Sequence, residues 1–265
     1  MVEVTFDQLH GWLVAFLWPM TRLTAFLAAS PLWGHSSVPT QAKVGLAALI
    51  AVAIAPLVSV PDVPLVSWAG LGILVEQLLI GVAIGLVMRV TFAVVQAAGE
   101  FIGLQMGLAF ATFFDPGSGT NMVVVSRYLH MITLLMLLAL NGHLVVLEIL
   151  ATSFETLPIG LGGFNAAAFA MLARYGATIF SSGVLLALPV IGPLLIINLA
   201  MGILNRAAPQ LTVFNIGFPI SLTVGLALMM VLLSDIGRFL QRLFGHALDV
   251  MRQLLEALAP LPAAT

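Results

Sequence analysis

The stretch GEFIGLQMGLAFATFFDPGSGTN, from Gly99 to Asn121, interrupts a chain that is otherwise almost continuously apolar. It is rich in glycine and phenylalanine and contains one Asp-Pro pair, so it does not continue a regular apolar helix. In lipid, irregular backbone is tolerated only where protein buries it or where it lines a cavity. The sequence therefore predicts that the flanking helices shelter this stretch from lipid.

The composition of the 265 residues indicates a membrane protein, because 61% are hydrophobic and only 8% are charged. Soluble domains carry about 25% charged residues. Nine Lys and Arg against eleven Asp and Glu give a net charge of -2, which offers no electrostatic surface for nucleic acid. The absence of cysteine excludes disulfides, thiol nucleophiles and thiolate metal sites. Glu3 and Asp7 stand where a signal peptide requires basic residues, so the N-terminal segment is expected to be mature sequence.

Six apolar blocks are long enough to cross roughly 30 Å of hydrocarbon, for which a helix needs about 20 residues. They are residues 9–32, 44–60, 71–95, 128–150, 179–204 and 211–234. Most contain a proline or a charge, such as Pro19 and Arg22 in the first block. Proline bends a helix, and a charge inside the membrane needs a partner. The predicted fold is therefore all-α, with kinked helices lining a protein interior.

The distribution of Lys and Arg conflicts with six simple spans. Lys and Arg are concentrated in alternate connections up to Arg206, which predicts that these connections are cytoplasmic. The N-terminus, which has no basic residue before Arg22, would then lie on the outer side. Six spans would then place the C-terminal tail outside, yet that tail contains three arginines. We therefore interpret the block at 179–204 as a broken hairpin that turns at Pro189 and Pro193.

The C-terminal segment 236–265 differs from the domain predicted at 1–235. From residue 236 to residue 258, apolar residues recur at spacings of three and four with charged residues between them. This pattern predicts an amphipathic helix. Two interpretations remain open, because such a helix either lies on lipid headgroups or docks against another subunit.

Glycines at four-residue spacing predict close helix packing. Gly81 and Gly85 form one set, and Gly99, Gly103 and Gly107 form another. Each set places small residues on one helical face, where two backbones can approach closely. The first pair is expected to pack within the chain, with an intersubunit contact as the alternative.

The second glycine set leads into a loop with bulky apolar side chains. The loop residues are Phe110, Phe113, Phe114, Asp115, Pro116 and Gly117. The Asp-Pro pair and the glycine that follows are typical of a turn. A flexible loop that carries phenylalanines could seal a pore by excluding water. Alternatively, the phenylalanines are buried among helices, which is the interpretation that the residues alone favour.

Catalytic motifs are missing from the sequence. The five histidines are scattered, and no metal-binding spacing, phosphate-binding loop or nucleophile elbow is present. The acids Glu76, Glu100 and Glu148 stand alone, so we expect interhelical pairing, with ion coupling as the alternative. Neither an enzyme nor a cofactor is expected.

Three motifs resemble those of a known family. They are QMGLAFATFFDP at 105–116, HLVVLEILATSFETLPIG at 143–160 and NRAAPQLTVFNIGFP at 205–219. The chain is similar to the FliR family, the inner-membrane export-gate subunit of flagellar type III secretion, which is related to the SctT subunit of virulence injectisomes. The resemblance covers essentially the whole chain. Thr212 departs from the pattern, in which Asn is expected at that position.

The resemblance implies a kinked and hairpinned subunit of a cone-shaped assembly. Its partners would be FliP and FliQ, FlhB at the cytoplasmic base, membrane lipid and exported unfolded flagellar proteins, in the inner membrane at the flagellar basal body. In that family the segment that matches Met106 to Asn121 projects into the channel as a plug. On this basis a gating role, shared by Met106 and Gly107, becomes the preferred interpretation of the phenylalanine loop.

The resemblance also implies a turn between two helices of a hairpin that is similar to FliQ. Its residues are Arg206, Pro209, Gln210, Phe214 and Pro219. We interpret Arg206 as capping one helix and Pro209 as beginning the next. Two alternatives to a flagellar subunit remain, namely an SctT-type injectisome subunit and a small-solute transporter. A transporter would show an inverted repeat, which we do not recognise.

Overall fold

A computed structural model describes the chain at residues 6–59, 61, 63–108, 123–163, 165–207 and 216–259. These ranges contain helices and connecting segments and no strand, which confirms the predicted all-α fold. Their α-helices are α1 (Phe6–Ala29), α2 (Thr40–Ile54), α3 (Trp68–Gln105), α4 (Val124–Ala139), α5 (Gly142–Thr156), α6 (Ala166–Tyr175), α7 (Thr178–Ala207) and α8 (Phe218–Leu258).

Four helical stretches in the described part are long and apolar enough to cross a membrane. They are Gly11–Ala29, Trp68–Gln105, Ala167–Ala207 and Phe218–Leu258. Helices α4 and α5, joined through a bend, add a fifth if the pair forms one span. The helix in the apolar block at 44–60 ends earlier than predicted, because α2 stops at Ile54 and a 3-10 turn follows. Its 15 residues would span only about 22 Å.

The hairpin predicted in the block at 179–204 is wrong. Helix α7 continues from Thr178 to Ala207 with Pro189 and Pro193 inside it. A proline removes one hydrogen bond and bends a helix, but it does not reverse the chain. The interruption lies elsewhere, between α4 and α5, where Asn141 has a left-handed conformation with φ of 54°.

The chain divides into two compact units, each assembled from separate segments. The first unit contains Met1–Val90, Asn141–Gly176 and His246–Thr265, and the second contains Thr91–Leu140 and Ala177–Gly245. Helices α3 and α8 are each divided between the two units, so that one end of each helix belongs to the first unit and the other end to the second. The ends of the predicted plug segment therefore belong to the second unit.

In the first unit, α3 packs closely against α1 through the two glycines at 81 and 85. A Cβ at Gly85 would lie 2.6 Å from the Cβ of Ala29, and one at Gly81 would overlap the carbonyl of Arg22. The adjoining hydrophobic cluster joins α1, α2, α3 and α5 and contains Val14, Trp18, Ile54, Ile73, Phe154 and Ile159.

In the second unit, α3 packs against α7 and α8. A Cβ at Gly183 of α7 would lie 3.1 Å from the carbonyl oxygen of Val94. The rings of Phe92 and Phe244 have their centroids 6.2 Å apart. These contacts place the C-terminal end of α3 beside α7 and α8.

The predicted amphipathic segment is the C-terminal half of α8, which runs without interruption through residues 235 and 236. Its apolar face is buried within the chain itself, at Leu240, Leu243, Phe244, Ala247, Val250, Met251, Leu254, Leu255 and Leu258. Asp249 and Arg252 on the other face are exposed and form an ion pair at 3.7 Å. This apolar face therefore needs neither lipid headgroups nor another subunit to cover it, contrary to both interpretations of the sequence.

Candidate functional site

The C-terminal end of α3 is closed by a Schellman motif. Gly107 has φ of 83°, a conformation that only glycine adopts without strain. Its N–H donates to the carbonyl of Leu104 at 3.1 Å, and the N–H of Leu108 donates to the carbonyl of Gly103 at 2.9 Å. These bonds satisfy carbonyls that the end of a helix leaves free. We call residues 105–108 the α3 turn.

The α3 turn packs against α8 at Gly225, a position without a side chain. Met106 is fully buried, with 0% of its surface exposed. A Cβ at Gly225 of α8 would lie 2.6 Å from Cγ of Met106, and one at Gly107 would lie 2.9 Å from the ring of Phe218. Both glycines are therefore needed for the turn to approach α8 as closely as it does.

A polar side chain of α7, itself bonded to a serine of α8, also binds the α3 turn. Nδ2 of Asn198 on α7 donates to the carbonyl oxygen of Gln105 at 3.2 Å. The hydroxyl of Ser221 on α8 donates to Oδ1 of the same asparagine at 2.8 Å. The end of α3 is thus joined to two other helices of the second unit.

The beginning of α4 is attached to the same part of α3. The N–H of Val123 donates to Oε1 of Glu100 at 3.2 Å, and the hydroxyl of Ser126 donates to the carbonyl of Gln96 at 2.9 Å. A Cβ at Gly99 would overlap the backbone of Ser126. Glycine at this position therefore permits direct contact between the two helices.

Gly103 brings the two flanks of the segment at 109–122 together. Its carbonyl accepts the N–H of Leu108, and a Cβ on it would overlap the side chain of Val123. Leu108, where the chain leaves α3, and Val123, where it returns, therefore contact the same turn of α3 around Gly103. Both attachment points lie on a regular helix, so they are defined by its geometry.

A second polar site, in the first unit, surrounds the guanidinium of Arg22. This side chain is fully buried, with 0% of its surface exposed. Nε donates to Oε1 of Gln77 at 2.8 Å, Nη1 to the carbonyl and hydroxyl of Ser153 at 2.8 and 2.9 Å, and Nη2 to the carbonyl of Leu157 at 2.8 Å. The ring of Phe154 lies 4.0 Å from the guanidinium carbon. We call these residues the Arg22 site.

The sequence indicated that Arg22 needs a partner, but it did not identify the Arg22 site. The residues that bind the guanidinium come from α3 and from the end of α5, up to 135 positions away in sequence. The available signals were two polar residues, Gln77 inside the third apolar block and Ser153 just after the fourth. Nothing in the spacing of these residues shows that they meet.

Two acids of the apolar helix α3, Glu76 and Glu100, accept hydrogen bonds from backbone amides of other segments. Glu76 accepts from the N–H of Gly163 at 3.2 Å, and Glu100 accepts from Val123 as described above. Glu148 lies exposed on α5. Within the ranges that the structure describes, no group of three or more His, Asp or Glu residues could hold a metal ion.

Comparison with known proteins assigns this chain to a family. The family described as "Bacterial export proteins, family 1" matches residues 13–247. The chain is 46% identical to the flagellar biosynthetic protein FliR of Escherichia coli (strain K12) over 258 residues, which cover 97% of this chain and 99% of that protein. It belongs to the FliR family of bacterial export proteins.

Other relatives match over nearly the same length. The FliR protein of Pectobacterium carotovorum subsp. carotovorum is 46% identical over 94% of this chain and 95% of its own length. That of Bacillus subtilis (strain 168) is 30% identical over 91% and 94%. The resemblance to the FliR family that was inferred from three motifs is therefore confirmed along the chain.

The structure describes some of the family residues that the sequence singled out. Met106 and Gly107 form the α3 turn, and Gly99 and Gly103 hold the start of α4. The exposed side chain of Arg206 lies in the last turn of α7. Pro219 lies in the first turn of α8, where its carbonyl accepts the hydroxyl of Thr223 at 2.8 Å. The other candidates lie outside the described residues, namely Phe110, Phe113, Phe114, Asp115, Pro116, Gly117, Pro209, Gln210 and Phe214.

Proposed function

We propose that this chain is a structural and gating subunit of the flagellar type III export gate. In this proposal it assembles with FliP and FliQ into a channel for unfolded flagellar proteins, with FlhB at its cytoplasmic base. The site of action is the inner membrane at the flagellar basal body. Similarity over nearly the full length to proteins named for flagellar biosynthesis supports this assignment.

Exposed apolar surface on α7 supports a role in an assembly. Only 28% of the apolar window of Ala167–Ala207 is buried within the chain. Large side chains are exposed along this helix at Phe180, Leu185, Leu188, Leu195, Ile196, Leu199 and Ile203. In a membrane such a surface is covered by lipid or by neighbouring subunits, and the proposed partners would cover part of it.

In the same proposal the segment at 106–121 is the plug of the channel. The supporting observation is that Gly103 contacts both flanks of this segment, Leu108 and Val123. A plug must return to the same position after each opening, which requires both of its ends to be attached to rigid structure. Phe110, Phe113 and Phe114 would then seal the closed pore by excluding water.

Replacing the phenylalanines tests the plug directly. Changing both Phe113 and Phe114 to Ala should make the membrane leak ions while the chain still assembles with FliP and FliQ. The seal depends on apolar volume, so changing the same two residues to Leu should leave the membrane tight. Assembly is measured by co-purification, and leakage by the collapse of membrane potential in cells that express the complex.

The result that would contradict the plug is a tight membrane in cells that contain the assembled alanine variant. The assignment to the export gate is tested separately by purifying the chain with the three proposed partners. A small-solute transporter would instead move its solute when the chain is reconstituted alone.

A further inference from the structure

We infer that Asn198 and Ser221 form a latch that holds the α3 turn in its closed position. The latch consists of these two side chains and the carbonyl of Gln105. Its role in gating rests on the proposed function, because the α3 turn is the first attachment point of the proposed plug. Its geometry rests only on described residues of the second unit.

The position of the latch follows from the way in which α3 ends. The Schellman motif uses the carbonyls of Gly103 and Leu104. The next carbonyl along the chain belongs to Gln105, and Asn198 supplies its hydrogen bond at 3.2 Å. An apolar residue at 198 would leave that carbonyl without this donor.

Asparagine is suited to this place because its amide group both donates and accepts. While Nδ2 donates to α3, Oδ1 accepts the hydroxyl of Ser221 at 2.8 Å. Ser221 is 4% exposed, so this second bond is sheltered from competing water. The two bonds form a chain from α8 through α7 to the end of α3, and they orient the amide.

The strength of the latch is suited to reversible opening. Hydrogen bonds between helices in membranes contribute modestly, and each favours the bonded state by about 2.8-fold on average. Two such bonds would favour the closed turn by roughly eightfold. The stabilisation from these bonds adds to that from the packing of Met106 against Gly225. Release of the latch would free the α3 turn without unfolding α3, α7 or α8.

The accessibility of a single cysteine at residue 108 can report the position of the turn. Leu108 is half-buried and directly follows Gly107, and the chain contains no other cysteine. The Leu108→Cys chain is assembled with FliP, FliQ and FlhB, and its rate of reaction with a water-soluble maleimide is measured. The same preparation is used to measure ion leakage.

Asn198→Leu removes both bonds at similar volume and should raise the labelling rate about eightfold. Ser221→Ala removes one bond and should raise the rate about threefold. Adding Ser221→Ala to Asn198→Leu should have no further effect, since both bonds are already lost. Thr223→Val is the matched control, because that hydroxyl donates to the carbonyl of Pro219 in its own helix, and it should leave the rate unchanged.

The outcomes separate the latch from the plug. Faster labelling with increased leakage supports both. Faster labelling in a membrane that stays tight supports the latch and contradicts the plug. An unchanged labelling rate in Asn198→Leu overturns the latch, whatever happens to leakage. Should Asn198→Leu prevent assembly, an unchanged rate in Ser221→Ala overturns the latch in the same way.

Discussion

The Arg22 site and the latch both bind the C-terminal carbonyls of a helix, one in each unit. Arg22 binds the end of α5 through the carbonyls of Ser153 and Leu157. Asn198 binds the end of α3 through the carbonyl of Gln105. The first site uses a full positive charge with four hydrogen bonds and an aromatic ring, and the second uses a neutral amide with two bonds.

This difference shows which of the two helix ends is held more firmly. A cation at a helix C-terminus interacts favourably with the helix dipole, and its hydrogen bonds are about twice as strong as neutral ones. A buried guanidinium also cannot leave its partners without a large cost. The neutral bonds of the latch are weak enough to break and reform. The comparison therefore predicts a rigid first unit and a releasable turn in the second.

The largest effect is expected from Arg22→Lys. Lysine keeps the charge but lacks the planar group that reaches Gln77, Ser153 and Leu157 at once, so we expect a loss of stability on the order of 3 kcal/mol. The measurements are the amount of chain in membranes and the thermal stability of the solubilised complex. Thr21→Val is the control, because that hydroxyl bonds to Leu17 within α1. A lysine variant as stable as the parent would refute the rigid first site.

A smaller effect is expected from Gly81→Ala. The new methyl group would meet the backbone of α1 at the carbonyl of Arg22, so that α1 and α3 must separate. Overpacking of this kind costs roughly 2 kcal/mol, again measured as thermal stability of the complex. Gly45→Ala on α2 is the control, since no atom of the described residues outside its own stretch of helix lies within 4 Å of its added Cβ. Equal stability of the two alanine variants would show that the helices are not held together so closely.

The smallest of the three effects is expected from Gly225→Ala. The added methyl group meets the flexible side chain of Met106 rather than backbone, so we expect a cost of about 1 kcal/mol in thermal stability. Displacement of Met106 should also raise the labelling of Leu108→Cys. The control on the same helix is Gly237→Ala, whose Cβ would lie 3.5 Å from Cε of Met136. If the two alanine variants label at the same rate, Met106 does not hold the turn.

Local sequence accounts for those parts of the fold and site whose cause is local. A glycine after an apolar helical run favours a left-handed helix end, and Gly107 ends α3 in this way. The glycine spacings predicted close helix packing, which α3 shows against α1 and α4. The prolines at 189 and 193 misled the prediction, because a proline bends a helix without specifying whether the chain reverses. The bend lies instead at the less conspicuous Asn141, between α4 and α5.

The sequence by itself determined the membrane class of this protein, its all-α fold, its family and the segment in which the proposed plug lies. Hydropathy, helix length and residue motifs are properties of neighbouring residues, and they can be read without knowing the fold. Only the tertiary structure decided that Arg22 binds the end of α5, that Asn198 binds the end of α3, and that the apolar face of the C-terminal helix is buried within the chain. Each of these contacts joins residues far apart in sequence, because a buried polar or apolar group is satisfied by whatever the fold brings beside it, and spacing along the chain does not identify that partner.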